Sequence, residues 1–290
     1  MIFRVPACRQ LIYNAQMVDP LSILQLLALI LFLPGLYHFL APGREGPVPI
    51  LWQGIPTVAL VVWCVIAATG GWRQDVGFTL WISAGAVLLL HLILALRSET
   101  MRRLGGLVLG YGFIVGLLSV LSGLAGEHRM DLQGGWIAIH IVISLLAYGL
   151  ITLASVAALS VVLKEGALKS RRMTRLSAAL PPVVTGEAVQ FRLLALGEAV
   201  LAAGLVTGIS VQVTRDMPIF ALDHKTILLA GTFLMIAALL IIQHAFGYRG
   251  RRASRIVLAS CLLITLAYPG VKFITDILIT AVSTVHLALN

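Results

Sequence analysis

Charge is what this sequence is short of. Only 11% of its 290 residues are Asp, Glu, Lys or Arg, against 59% hydrophobic, and the mean hydropathy is +0.99. A soluble domain carries about 25% charged residues because its surface has to face water. This chain cannot cover such a surface, which excludes an ordinary soluble enzyme, a disordered tail and a DNA-binding domain. Cysteine is scarcer still. Cys8, Cys64 and Cys261 are scattered and form no C-x-x-C pair, so neither a disulfide framework nor a zinc knuckle follows. Without C-x-x-C-H the chain is not itself a c-type cytochrome. No internal repeat is evident either, and the inverted-repeat signature of many transporters goes with it. The net charge of +9 would point to nucleic acid in a soluble protein. Here it reflects the bias of basic residues toward cytoplasmic loops, and no nucleic-acid partner is expected.

What is abundant is apolar helix. A bilayer core takes roughly 20 such residues to cross. Eight runs qualify, at about 20–40, 52–70, 78–96, 105–125, 136–163, 193–214, 226–246 and 256–282. They predict an all-α polytopic bundle lying in membrane lipid. The linkers at 41–51, 97–104, 164–192 and 247–255 carry 14 of the 21 basic residues, and the opposite set carries 7. The positive-inside rule places the first set in the cytoplasm and both termini outside. Residues 1–18 are weakly hydrophobic, contain Arg4, Pro6 and Arg9, and lack a signal-peptide core. They form an N-terminal arm of unassigned status, and Met17 fits a later start site. Residues 19–290 form the transmembrane domain. The longest hydrophilic stretch is 164–191, where Pro181-Pro182 breaks any helix. Chemistry must therefore lie between helices or at the outer face.

Polar groups are costly at membrane depth, so those present mark function or helix contacts. Trp136, His140 and Ser144 are spaced by four and share a helix face, with Tyr148 near it. His140 is either an imidazole hydrogen-bonded to a neighbouring helix or a metal ligand. His244, beside Tyr248-Arg249-Gly250-Arg251-Arg252, is either an interfacial residue or a ligand. His91 sits about 9 Å from the cytoplasmic end of the third run, at 1.5 Å per residue, a depth broadly similar to that of His244. Two such histidines can clamp an iron axially, although His38 also lies near this side. His128, His224 and His286 lie near or beyond outer ends, and Asp223 reads as a helix cap. Glu198 is expected to pair with a basic residue on the cytoplasmic side. Lys272 and Asp276 form an i,i+4 pair, and Gly204 with Gly208 reads as tight helix packing.

Together these residues resemble the CcsA/CcmC-type cytochrome c assembly proteins. Trp136-x3-His140-x3-Ser144-Leu-Leu-Ala-Tyr148 is similar to the family's helix before its active-site loop. Asp223-His224-Lys225-Thr226 matches the start of the next-but-one helix, and His244-Ala-Phe-Gly247-Tyr248-Arg249-Gly250-Arg251 resembles the family's His-then-G-W-x-G turn. Leu266-Ala267-Tyr268-Pro269-Gly270-Val-Lys272-Phe273 resembles its final helix. The resemblance covers about 20–282 and is nearest to the eight-span subgroup called YpjD or HemX-like. It implies a haem-handling protein of the bacterial inner membrane that assists cytochrome c assembly. Its cofactor would be haem, and its partners other cytochrome c maturation proteins or apocytochrome. His140 would contribute to an outward-facing haem site beside Trp136, and His244 would ligate a haem buried in the membrane.

The departures carry weight too. The family's tryptophan-rich WxWD loop reads Arg215-Asp-Met-Pro-Ile-Phe220-Ala-Leu-Asp223 here and has no Trp, so a flat stacking platform is lost. Ile279 stands at the register of the second outer histidine, with His286 seven residues beyond. Where the second helix would bring the other buried ligand, the sequence reads Val62-Trp63-Cys64-Val65, which leaves His91, His38 or Cys64 as the second axial ligand. No nucleophile–base pair and no pair of carboxylates points to hydrolysis. Three other readings stay open: a non-catalytic HemX-like regulator that has lost its haem sites, a small-solute or ion transporter, and a bis-histidine electron-transfer cytochrome.

Overall fold

The computed structural model describes residues 20–41, 46–69, 72–73, 75–122, 129–130, 135–171, 174–214 and 224–270. The fold is an all-α membrane bundle. Helices α1 (Pro20–Ile30) and α2 (Leu33–Leu40) together make the first span. Pro34 has no N–H to donate back to the preceding turn and disfavours helical geometry at Leu33. The chain accordingly turns at Leu31–Phe32 before resuming. Then come α3 (Ile50–Ala68), α4 (Val76–Ala95), α5 (Glu99–Ser122) and α6 (Gly135–Lys169). A short α7 (Arg175–Ala179) leads to α8 (Val183–Thr214), α9 (His224–Phe246) and α10 (Arg251–Thr265). Seven segments among the described residues are long and apolar enough to cross a membrane, from Leu21–Leu40 to Thr226–Phe246. Helix α10 runs into a π-helical turn at Leu266–Gly270. The rest of the expected eighth run, 271–282, lies outside the described residues, as do 1–18, His128, Asp223, Lys272, Asp276, Ile279 and His286.

Some helices reach further than hydropathy indicates. Helix α8 starts at Val183, immediately after the Pro181-Pro182 break, and not near 193. Helix α6 continues to Lys169. Its 35 residues span about 52 Å at 1.5 Å each, well over a hydrocarbon core of roughly 30 Å. The basic linker is thereby shortened and tied down: Lys164 Nζ donates to the carbonyls of Ser177 at 2.5 Å and Leu180 at 3.4 Å. Thr174 caps α7 by accepting from the Ser177 N–H at 3.2 Å.

The most extensive packing joins α6 to α8 along antiparallel faces, with α10 on another side of α6. Helices α3, α4 and α5 pack side by side, and α4 also meets α6. The core runs through both groups. Trp63, Phe78 and Trp81 are fully buried, with ring centroids 6.3 Å and 5.8 Å from Trp63. In α6 an unbroken stretch from Ala147 to Ala158 is buried. At Gly35 an added Cβ would lie 2.7 Å from Leu109 Cδ1 and 3.1 Å from the Trp52 carbonyl, so only glycine lets α2 approach α3 and α5 this closely.

At the end of the bundle that holds Trp136, a two-residue ladder pairs Trp72 with Met130 and Arg73 with Arg129. Asp75 organises this end. One carboxyl oxygen accepts from the Phe78 N–H at 2.7 Å and caps α4, and the other takes the Arg73 Nε–H at 2.9 Å. Both side chains are buried.

Candidate functional site

His140 lies a little over one turn into α6, on the face that meets α8. Its Nδ1 is 3.1 Å from Thr207 Oγ1, a contact that joins the two helices. Ser144 Oγ, one turn along α6, is 3.5 Å from Nε2. The ring lies over Gly208: a Cβ built there would be 3.2 Å from His140 Cε1. At Gly204, the other small residue of the stripe, the neighbour is Ile143, 3.6 Å from a built Cβ. The two glycines do support close helix packing, and Gly208 also makes room for an imidazole. Trp136, one turn before His140, is 53% exposed.

The four-residue spacing of this face continues inward. Tyr148 OH lies 3.2 Å from Tyr111 OH of α5 and 3.5 Å from Thr265 Oγ1 of α10. Thr152 and Ser155 follow on the same face and are buried, and Ser155 Oγ donates to the Val257 carbonyl of α10 at 3.3 Å. A polar stripe thus runs from the Trp136 end to mid-membrane and binds α6 to three neighbours. The sequence exposed the half of the stripe that lies on α6. Thr207, Tyr111 and Thr265 on facing helices gave no sequence signal, because nothing in linear spacing pairs residues 67 or 117 positions apart.

The other two candidate ligands sit in unlike surroundings. His91 is 2% exposed inside α4, and its Nε2 lies 2.9 Å from Gln53 Oε1. Gln53 Nε2 in turn donates to the Val48 carbonyl at 2.6 Å. That bond orients the amide, so Oε1 accepts and His91 Nε2 carries the proton. His91 Nδ1 is buried and has no hydrogen-bond partner among the described residues. His244 is exposed near the end of α9. Helix α9 packs on α8, α10 and the π turn, whereas α4 packs on α3, α5 and α6 and touches the π turn. Cys64 on α3 is half-buried near Gly85 of α4. His38 lies in the last turn of α2.

Glu198 departs from its expected pairing. It is 9% exposed at the middle of α8, and among the described residues neither carboxyl oxygen has a hydrogen-bond partner. The ion pairs there are Arg73–Asp75 at 2.9 Å and Arg103–Glu99 at 3.0 Å. No group of three or more His, Cys, Asp or Glu side chains converges as a metal cage among these residues. An axial imidazole with an aromatic face beside it is a different kind of site and needs no such cage.

Comparison with known proteins bears on this arrangement. The chain matches the family described as Cytochrome C assembly protein over residues 21–279. It is 39% identical over 248 residues to an uncharacterized 28.8 kDa protein in the nifR3-like 5′ region of Azospirillum brasilense, covering 84% of this chain and 92% of that one. It is 23% identical over 202 residues to the inner membrane protein YpjD of Escherichia coli K12, covering 68% of this chain and 75% of the relative. No solved structure matches it. Seven apolar spans and an inner-membrane relative make this a multi-pass protein of the bacterial inner membrane. A match that runs through nearly every described helix, from the first span past the π turn, leaves one conclusion: the chain belongs to the cytochrome c assembly protein family.

Proposed function

We propose that this protein handles haem for cytochrome c assembly, with His140 as an axial ligand at the outer face and Trp136 as the flat surface beside it. Family membership supports the role in cytochrome c biogenesis. The observation that carries the haem reading is the His140 seat. The imidazole is held from its Nδ1 side by Thr207 and rests on Gly208, while among the described residues Nε2 has Ser144 at 3.5 Å. Metal-ligating histidines are held in this way, with the far ring nitrogen fixed by a hydrogen bond. The exposed Trp136 adds an apolar face of the kind that stacks on a porphyrin. These residues fit the group. Haem would be held by the His140 imidazole and would supply the iron that this imidazole ligates. The chain orients that imidazole and excludes water from one side of it.

In this reading the Arg-rich ends of the helices face the cytoplasm, and the Trp136 end faces outward, where c-type cytochromes are assembled. Apocytochrome or other maturation proteins would dock at that end. His244, with His91 as its first-choice companion, would hold a second, buried haem. His91 would have to ligate through Nδ1 or give up Gln53, because Nε2 is already donating.

That engagement of His91, the exposure of His244 and a 215–223 loop without tryptophan favour a second reading, a non-catalytic HemX-like regulator or assembly factor that has lost its haem sites. A deletion strain complemented with His140→Ala separates the two. Haem handling predicts a clear loss of mature c-type cytochrome while the variant accumulates in the membrane. Full c-type cytochrome yield would return His140 to a packing role.

A further inference from the structure

We infer that Thr207 is a positioning residue for His140, fixing the neutral imidazole as the Nδ1–H tautomer and leaving Nε2 as the electron-pair donor. The inference rests on His140 being the outer ligand and specifies how this chain would prepare it. Thr207 Oγ1 lies 3.1 Å from the carbonyl oxygens of both Ala203 and Gly204 in its own helix. Carbonyl oxygens only accept, so the single hydroxyl hydrogen is committed to them. Toward His140 the same oxygen therefore presents a lone pair, 3.1 Å from Nδ1. An Nδ1 lone pair there would oppose it, whereas an Nδ1–H donates to it. With the proton on Nδ1, a neutral ring carries its lone pair on Nε2.

The remaining neighbours agree. Ser144 Oγ is 3.5 Å from Nε2, and a hydroxyl can donate weakly to a lone pair there. Gly208 leaves room for the ring against α8, where a Cβ would lie 3.2 Å from His140 Cε1. His91 has the opposite arrangement, since its Nε2–H is donated to Gln53. His91 and His140 are thus held as opposite tautomers by the helices that face them, and of the two His140 leaves its lone pair on the ring nitrogen farther from the backbone.

The test uses the full-length protein in detergent with ¹⁵N-labelled histidine, the His140 signals being assigned by their loss in His140→Ala. Without haem, the wild type should show a protonated Nδ1 and an unprotonated Nε2. Thr207→Val, similar in shape but unable to accept, should shift both nitrogens toward a mixture of tautomers, and Thr207→Ser should restore the wild-type pattern. Haem affinity should fall about 10- to 100-fold in Thr207→Val, the usual cost of losing such a support, and recover in Thr207→Ser. A protonated Nε2 in the wild type, or unchanged His140 nitrogens in Thr207→Val, would overturn the inference. If His140→Ala leaves haem affinity unchanged, the ligand reading fails, and the nitrogen shifts still decide the tautomer.

Discussion

Single residues decide what each histidine is able to do. His91 and His140 are both histidines within apolar helices, yet one is a core residue bonded to an amide and the other lies half-buried beside an exposed indole. Replacing Gln53 with Leu removes the acceptor and strands a buried N–H donor, at a cost of about 1–3 kcal/mol. Replacing His91 with Leu strands the Gln53 carbonyl instead. The double substitution should cost less than the sum of the two, with a coupling of roughly 0.5–3 kcal/mol. Thermal unfolding in detergent measures all three variants. Strict additivity would mean that the 2.9 Å contact contributes nothing to stability. The residue scale is also where the sequence was least legible. Trp136, His140 and Ser144 declared themselves by spacing, but Thr207 stands alone in an apolar run, and Gln53 is one polar residue in a helix otherwise rich in Val, Ile and Leu. Their importance comes from what faces them. Glu198 shows the same limit from the other side: its position was plain, but the basic partner expected for it is absent among the described residues.

Helices were legible as apolar runs, and their ends only where a specific residue sets them. Pro34 turns the first span, and Pro181-Pro182 ends the basic linker; both are visible in the sequence. Helix α8 starts ten residues before its apolar run because its first turns lie outside that stretch. Residues such as Glu187 and Arg192 keep the helix going without raising hydropathy. The start of α4 depends on Asp75, which caps the helix and holds Arg73 at once. Asp75→Ala should therefore lose the cap, worth about 0.5–2 kcal/mol, and also strand a buried guanidinium, a penalty of several kcal/mol where burial is complete. Asp75→Asn retains an oxygen that can cap and should be milder in thermal unfolding. Equal losses in the two variants would assign the whole effect to the charge.

At the scale of the whole molecule, packing divides the labour. Helices α3, α4 and α5 form one tightly packed group around Trp63 and Trp81, and α6 with α8 forms the wall that carries His140. Helix α9 leaves most of its apolar surface outward, as a helix facing lipid does. The basic residues are spread unevenly over the two ends, with 14 on one set of linkers and 7 on the other. Reporter fusions after Gly166 should therefore read cytoplasmic, and fusions at the C-terminus extracytoplasmic. A cytoplasmic C-terminus would put His140 on the wrong side for assembling c-type cytochromes. The central claim is that this bundle holds haem through His140. Its most direct test is to purify the wild type and His140→Ala in detergent, supply haemin, and quantify retained haem by the pyridine haemochrome spectrum. The account predicts haem on the wild type and a large loss in the variant. Equal retention by both proteins, or no haem on either, would contradict it.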